Sequence, residues 1–122
     1  MTARLGSLHE ERRGDVSVLQ LPDRVTLGQT IEDLQRTVRE LAERGACRVV
    51  LDLSSTSYLD SAGIGALVSA YTAIQASGGM LALAGVGKRV EDLLQLTKLY
   101  TVFDSYGSVD EAVAALRPRE GQ

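Results

Sequence analysis

An α/β domain built on a mixed sheet is the fold class this sequence predicts, on two observations. Apolar runs of strand length alternate along the chain with segments whose apolar residues recur at helical spacing. One such run, Arg48-Val49-Val50-Leu51-Asp52-Leu53, is flanked so closely by helical segments that both its faces are expected to be covered. At 122 residues the chain forms one domain, long enough to bury about two-thirds of its unfolded surface.

Taken in order, residues 1–12 are expected to be a flexible tail. The first clear strand is expected over Asp15–Leu21, with room for a short piece just before it. There Val16, Val18, Leu19 and Leu21 form an apolar run that Pro22-Asp23 ends. Thr26-Leu27-Gly28-Gln29 has the form of a capping box, with Thr26 capping and Gln29 reaching back. In the helix that follows, Ile31, Leu34, Val38 and Leu41 share one face. Glu32, Asp33, Arg36, Arg39, Glu40 and Glu43 make up the solvated one, and Gly45 stops the helix. After the 48–53 strand comes a polar loop, Ser54-Ser55-Thr56-Ser57. A second helix then has Ile64, Leu67, Val68, Tyr71 and Ile74 as its core stripe. Gly78-Gly79 breaks this helix before a short strand, Met80-Leu81-Ala82-Leu83, which leaves through Gly85-Val86-Gly87. Val90, Leu93, Leu94 and Thr97 mark a third helix, and Thr101-Val102-Phe103 a short edge strand. Ser108-Val109-Asp110-Glu111 is a second capping box, opening a helix through Leu116. A polar tail is expected over 117–122. No internal repeat or linker is visible.

Composition excludes several functions. A net charge of −3 supplies no basic excess to release counterions from nucleic acid. Aromatic content of 4% without tryptophan offers no base-stacking platform. The single cysteine, Cys47, cannot form an intrachain disulfide and is expected as a small buried hydrophobe in a reducing compartment. Residues Met1–Glu10 contain no apolar core of signal-peptide length, so the expected location is the cytoplasm. The uncharged run Ser61–Gly87 invites a membrane-spanning reading. The Ser77-Gly78-Gly79 break, with Ser69, Thr72 and Gln75, splits that run into a helix and a strand, and no membrane insertion is expected.

The candidate for chemistry is Asp60-Ser61-Ala62-Gly63-Ile64-Gly65, which opens the second helix; the next charge after Asp60 is Lys88. A serine at a strand–loop–helix junction lies beside unpaired N–H groups at the positive end of the helix dipole. Its hydroxyl can cap the helix, attack a carbonyl or receive a phosphoryl group. A nucleophile elbow needs Gly-x-Ser-x-Gly, but Leu59 occupies the first glycine position, and the one histidine, His9, falls in the expected tail. Gly63-Ile64-Gly65 has Val68 where a dinucleotide fingerprint needs its third glycine. Gly87-Lys88 lacks both the following Ser/Thr and the upstream Gly of a phosphate-binding loop. One Cys, one His and no clustered carboxylates give no metal site, so no enzyme, metal or cofactor is expected.

As a plain N-cap, Ser61 would contribute about 1 kcal/mol to the helix. Gly63 and Gly65 in the first turn each cost about 1 kcal/mol relative to alanine, which suggests that something requires bare backbone there. The face read as Ala62, Gly65, Ala66, Ser69 and Thr72 is small and uncharged, whereas the first helix is heavily charged outside. Such a face suits either a docking surface for another protein or packing against a neighbouring element of the same chain.

The run Val49-Val50-Leu51-Asp52-Leu53, followed by Tyr58-Leu59-Asp60-Ser61-Ala62-Gly63-Ile64-Gly65-Ala66-Leu67, resembles the signature of the STAS family, in particular its anti-sigma-factor antagonists. Gly78-Gly79-Met80-Leu81-Ala82-Leu83-Ala84-Gly85-Val86 resembles the family's second half, as do Leu99–Asp104 and Ser108–Val113. The likeness runs from about Asp15 to Leu116. It implies a single STAS-type α/β domain over 13–116, with a mixed sheet of four or five strands packed with about four helices. It also implies a partner switch. An anti-sigma factor with serine-kinase activity would phosphorylate Ser61; the unphosphorylated chain would capture that factor and free the sigma factor; a PP2C-type phosphatase would reset the cycle. Asp60, Ala62, Gly63, Ile64, Gly65, Ala66 and Ser69 would bind the partner, with Asp60 and the Ser54–Ser57 loop shaping the surface the kinase reads.

Two positions depart from the family pattern. Its frequent Gly-x-Leu-Asp is Asp23-Arg24-Val25-Thr26 here, so the acidic role at Thr26 is lost or moved. The glycine common before Leu99 is Lys98, a change expected to touch only a helix end. Two other readings stay open: a STAS subunit of a stress-signalling or transport complex without a sigma factor, and an enzyme using Ser61 as nucleophile.

Overall fold

The computed structural model describes residues 2–45 and 47–117. Its strands are β1 (Thr2–Leu5), β2 (Leu8–Arg13), β3 (Val16–Gln20), β4 (Arg24–Val25), β5 (Arg48–Asp52), β6 (Tyr58–Leu59), β7 (Met80–Ala84) and β8 (Asp104–Tyr106). Its helices are α1 (Gln29–Arg44), α2 (Ser61–Ala76), α3 (Lys88–Leu96) and α4 (Val109–Leu116). The main sheet has six strands in the order β1-β2-β3-β5-β7-β8, rather than four or five. β1/β2 and β2/β3 are antiparallel, while β3/β5, β5/β7 and β7/β8 are parallel. β4 and β6 form a separate parallel pair. No helix among the described residues is long and apolar enough to cross a membrane.

Side-chain alternation on the central strands makes two cores. Val49, Leu51 and Leu53 join Leu19, Leu21, Leu81 and Leu83 under α1, α2 and α3. Val50, Val16, Val18, Ala82 and Ala84 meet Ala112, Val113 and Leu116 of α4 on the other face. β5 is therefore covered on both sides, as its unbroken apolar run requires. All four positions assigned to the inner face of α1 are buried. Cys47 is half-buried and donates from Sγ to the Leu41 carbonyl at 2.9 Å.

Several expectations change. Residues 2–5 and 8–12, within the expected flexible tail, form β1 and all but the last residue of β2. Their pattern is polar because backbone pairing, more than side-chain burial, holds them; Leu8 is the fully buried side chain of β2. The turn between them is anchored by Asp33, which was assigned to the solvated face of α1 but is buried. Ser7 N–H and Oγ each donate to Asp33 Oδ2 at 3.0 Å, while Gln29 and Arg36 donate to Oδ1 at 2.9 and 2.7 Å. These donors, led by the Ser7 backbone N–H and the Gln29 amide, hold the carboxyl well below the usual carboxylate range. Gly6, at φ 65°, passes so close that a Cβ there would lie 2.3 Å from Asp33 Oδ2.

The first capping box does not form. Gly28 is the N-cap of α1 without a side-chain cap bond, and Gln29 turns to Asp33 instead. The second cap forms on its serine side: Ser108 Oγ accepts from Glu111 N–H at 3.1 Å. The strand expected at 101–103 is displaced. Leu99–Thr101 is a 3-10 turn, and the edge strand is β8, three residues later than expected. Lys98, where the resemblance implies a glycine, is the non-glycine residue with positive φ, 61°, among those described. Arg117 caps the end of α4; the remainder of the expected C-terminal tail, 118–122, lies outside the described residues.

Candidate phosphorylation and docking site

The end of β5, the 53–57 loop and the short β4–β6 pair deliver the chain to the start of α2. Asp60, not Ser61, is the N-cap. Its backbone is extended (φ −89°, ψ −176°) and Oδ1 accepts from Gly63 N–H at 2.7 Å. Oδ2 accepts from Leu27 N–H at 3.1 Å, so one carboxylate ties the β4–α1 loop to the helix start. Those backbone donors, Leu27 before Gly63, hold the Asp60 carboxyl below its ordinary range. An anion here is favoured by the helix dipole as well.

Ser61 is thereby released from capping. It is the first residue of α2 and is exposed. Among the described residues no hydrogen bond engages its hydroxyl, and none links it to His9, which lies on β2 opposite Gln20.

The two glycines have different reasons to be there. A Cβ on Gly63 would lie 2.1 Å from the Val25 carbonyl oxygen, so this glycine lets α2 pack directly on β4. A Cβ on Gly65 would meet nothing within 4 Å. Of the expected partner-binding residues, Gly63 and Ala66 are buried; Ala62 and Ile64 are half-buried against the core. Ser61, Gly65, Ser69 and Thr72 are exposed and form the open stripe of the helix. Beside it a groove of about 350 Å³ runs between α1 and α2 over Ala66, Ser69, Ala70 and Ala73, because small side chains leave the helices imperfectly filled.

Sequence reasoning missed three features of this surface. Leu27 is 80% exposed beside Asp60. Tyr58, in β6, is exposed, with the Arg24 guanidinium carbon 4.5 Å from its ring centre. Asp23, in the loop before β4, accepts from the Ser57 hydroxyl and, through its backbone carbonyl, from Ser57 and Tyr58 N–H at 2.8 and 3.2 Å. The parallel β4–β6 pairing that assembles these residues has no local signal, since each strand is two residues long.

Comparison with known proteins gives a consistent result. A family model described as the STAS domain matches residues 9–112. A candidate anti-sigma factor antagonist of Thermotoga maritima is 32% identical over 78 residues, covering 64% of this chain and 69% of that protein. The crystal structure of a candidate anti-sigma factor antagonist from the same organism superimposes with a TM-score of 0.74 at 26% identity, over 89% of this chain and 93% of that one. A sulfate transporter family protein from Wolinella succinogenes shares the fold at 18% identity, with a TM-score of 0.73 and 84% of each chain covered.

Proposed function

The chain belongs to the STAS domain family, and from that premise we propose that it is a cytoplasmic anti-sigma-factor antagonist, not itself an enzyme, working in a phosphorylation-controlled partner switch. Unphosphorylated, it captures an anti-sigma factor that is also a serine kinase, and so frees a sigma factor. Phosphorylation of Ser61 ends the capture, and a PP2C-type phosphatase restores it.

The observation that carries this reading is the cap at Asp60. It leaves the neighbouring Ser61 hydroxyl exposed and uncommitted at the mouth of a helix, where an added anion is favoured by roughly 0.3–1 kcal/mol. Gly65 lends support. It costs helix stability, and no contact among the described residues requires it. Close approach of a partner backbone to the stripe of Ser61, Gly65 and Ser69 accounts for it. A phosphate adds about −1.5 to −2 charges to that stripe. Burying such a charge in an uncharged interface weakens binding by several kcal/mol, roughly a hundredfold or more in affinity.

The test is incubation with ATP and the cognate kinase, site mapping by tandem mass spectrometry, and calorimetric titration of the partner. Phosphate on Ser61, tight binding of the unmodified chain and of Ser61→Ala, and weakened binding of Ser61→Asp are expected. Phosphate confined to Ser54, Ser55 and Ser57, or equal affinity of the modified and unmodified chains, would remove Ser61 from the mechanism.

A further inference from the structure

Next to the start of α2 an apolar groove of about 310 Å³ lies between β6 and α3, lined by Ser57, Tyr58, Arg89, Asp92, Leu93 and Leu96. Leu96 is 81% exposed and Tyr58 39%. An exposed leucine beside an exposed tyrosine and a half-buried leucine is a surface prepared to lose water against something else.

The charges around this groove say what. The chain as a whole carries −3, yet at this groove three cations, Arg24, Lys88 and Arg89, stand against two carboxylates, Asp23 and Asp92. Arg24 stacks over Tyr58 and Arg89 lines the wall. Among the described residues neither takes part in an ion pair. Of the two carboxylates, Asp92 is paired with Lys88 Nζ at 3.2 Å, while Asp23 keeps its charge as it accepts from the Ser57 hydroxyl, which leaves one cation in excess. Apolar floor and cationic rim together match an apolar side chain flanked by carboxylates.

We propose that this groove docks an acidic protein segment presenting a leucine-like side chain, which seats between Tyr58, Leu93 and Leu96 while its carboxylates meet Arg24 and Arg89. The groove is lined by Tyr58, three residues before Ser61, so a phosphate on Ser61 would add a charge close along the chain with the same sign as the incoming segment. Repulsion of the segment by that phosphate would make the groove part of the switch; this regulatory part rests on the partner-switch reading above.

The experiment is an amide NMR titration of the nitrogen-15-labelled full chain with a short synthetic helical peptide carrying leucines at i, i+4 spacing and glutamates elsewhere. A counterpart with lysine for every glutamate serves as control. Saturable shifts centred on Tyr58, Arg89, Leu93 and Leu96 are expected with the glutamate peptide alone, weakening as salt is raised. Charge reversal at Arg24→Glu with Arg89→Glu should weaken binding about tenfold. Leu96→Ser, at an exposed position that does not threaten folding, should weaken it about fivefold. Equal binding of the lysine peptide, shifts centred elsewhere, or indifference to both sets of substitutions would overturn the proposal. So would concentration-dependent shifts of the groove without peptide, which would mark a second copy as its occupant. If the Ser61-phosphorylated chain bound the peptide as tightly as the unmodified one, the link to the switch would fall. A chain that no kinase phosphorylates would refute the partner switch while leaving the peptide result to decide the groove.

Discussion

Alanine at Gly63 and alanine at Gly65 should move stability in opposite directions, although both positions lie within the first two turns of α2. Helix propensity alone favours each change by about 1 kcal/mol. At Gly65 the new methyl enters open space on a backbone of ordinary helical conformation, so the gain of roughly 0.4–1 kcal/mol is realised, part of it through the less flexible unfolded chain. At Gly63 the methyl would lie 2.1 Å from the Val25 carbonyl oxygen and 3.3 Å from Leu59 Cδ2. Backbone cannot swing aside as a side chain can. Restoring van der Waals contact requires α2 and β4 to part by about 1.3 Å, in a packed interior that resists such displacement. Overpacking of this kind costs about 3 kcal/mol, which leaves a net loss near 2 kcal/mol after the propensity gain. Melts followed by far-UV circular dichroism should read this as a rise of about 2–4 °C for Gly65→Ala and a fall of about 8 °C for Gly63→Ala. A Gly63→Ala protein as stable as the wild type would refute the close-approach reasoning; a destabilised Gly65→Ala would show that a contact beyond those of the described residues needs that glycine. The same Gly65→Ala protein, titrated with its partner, should bind more weakly despite its greater stability.

Ser61→Ala should shift unfolding free energy by less than about 0.5 kcal/mol in urea titration, because Asp60 provides the cap and the serine is an exposed surface position; a loss near 1 kcal/mol would return the cap to Ser61. Phosphorylation of Ser61 should leave the far-UV spectrum unchanged, and a large drop in melting temperature would mean a switch by local unfolding. Lys98→Gly should raise the melting temperature and Lys98→Val lower it, since a left-handed residue with a side chain costs roughly 1–2 kcal/mol. The carboxyls of Asp33 and Asp60 are depressed in the folded chain. The unfolded chain therefore binds more protons, and stability falls as pH drops. Their contribution should be complete above about pH 5 and fade progressively below it. Asp33→Asn should flatten that acid limb of a stability–pH curve, and an unchanged limb would show that the Ser7 and Gln29 bonds do not set it.

Period and punctuation by themselves determined a good deal of this protein. The inner face of α1, the β5 run and the strand after Gly78-Gly79 were legible because each depends on side chains spaced within one element. The motif around Ser61 was legible too, and it brought the family with it. What the tertiary structure decided was which group satisfies which. Asp60 rather than Ser61 caps α2 because its second oxygen also finds the Leu27 N–H, 33 positions away. Asp33 is buried rather than solvated because its donors include Ser7, 26 positions away. The same turn draws a polar segment into the β1–β2 pair, which no apolar period could announce. Gly63 and Gly65 are alike in sequence and in helix cost; only the Val25 carbonyl, brought up by the β4–β6 pairing, distinguishes them. Local spacing carries the periodic burial of side chains, while hydrogen-bond partners and close approaches belong to residues distant in the chain, and those exist only once the chain has folded.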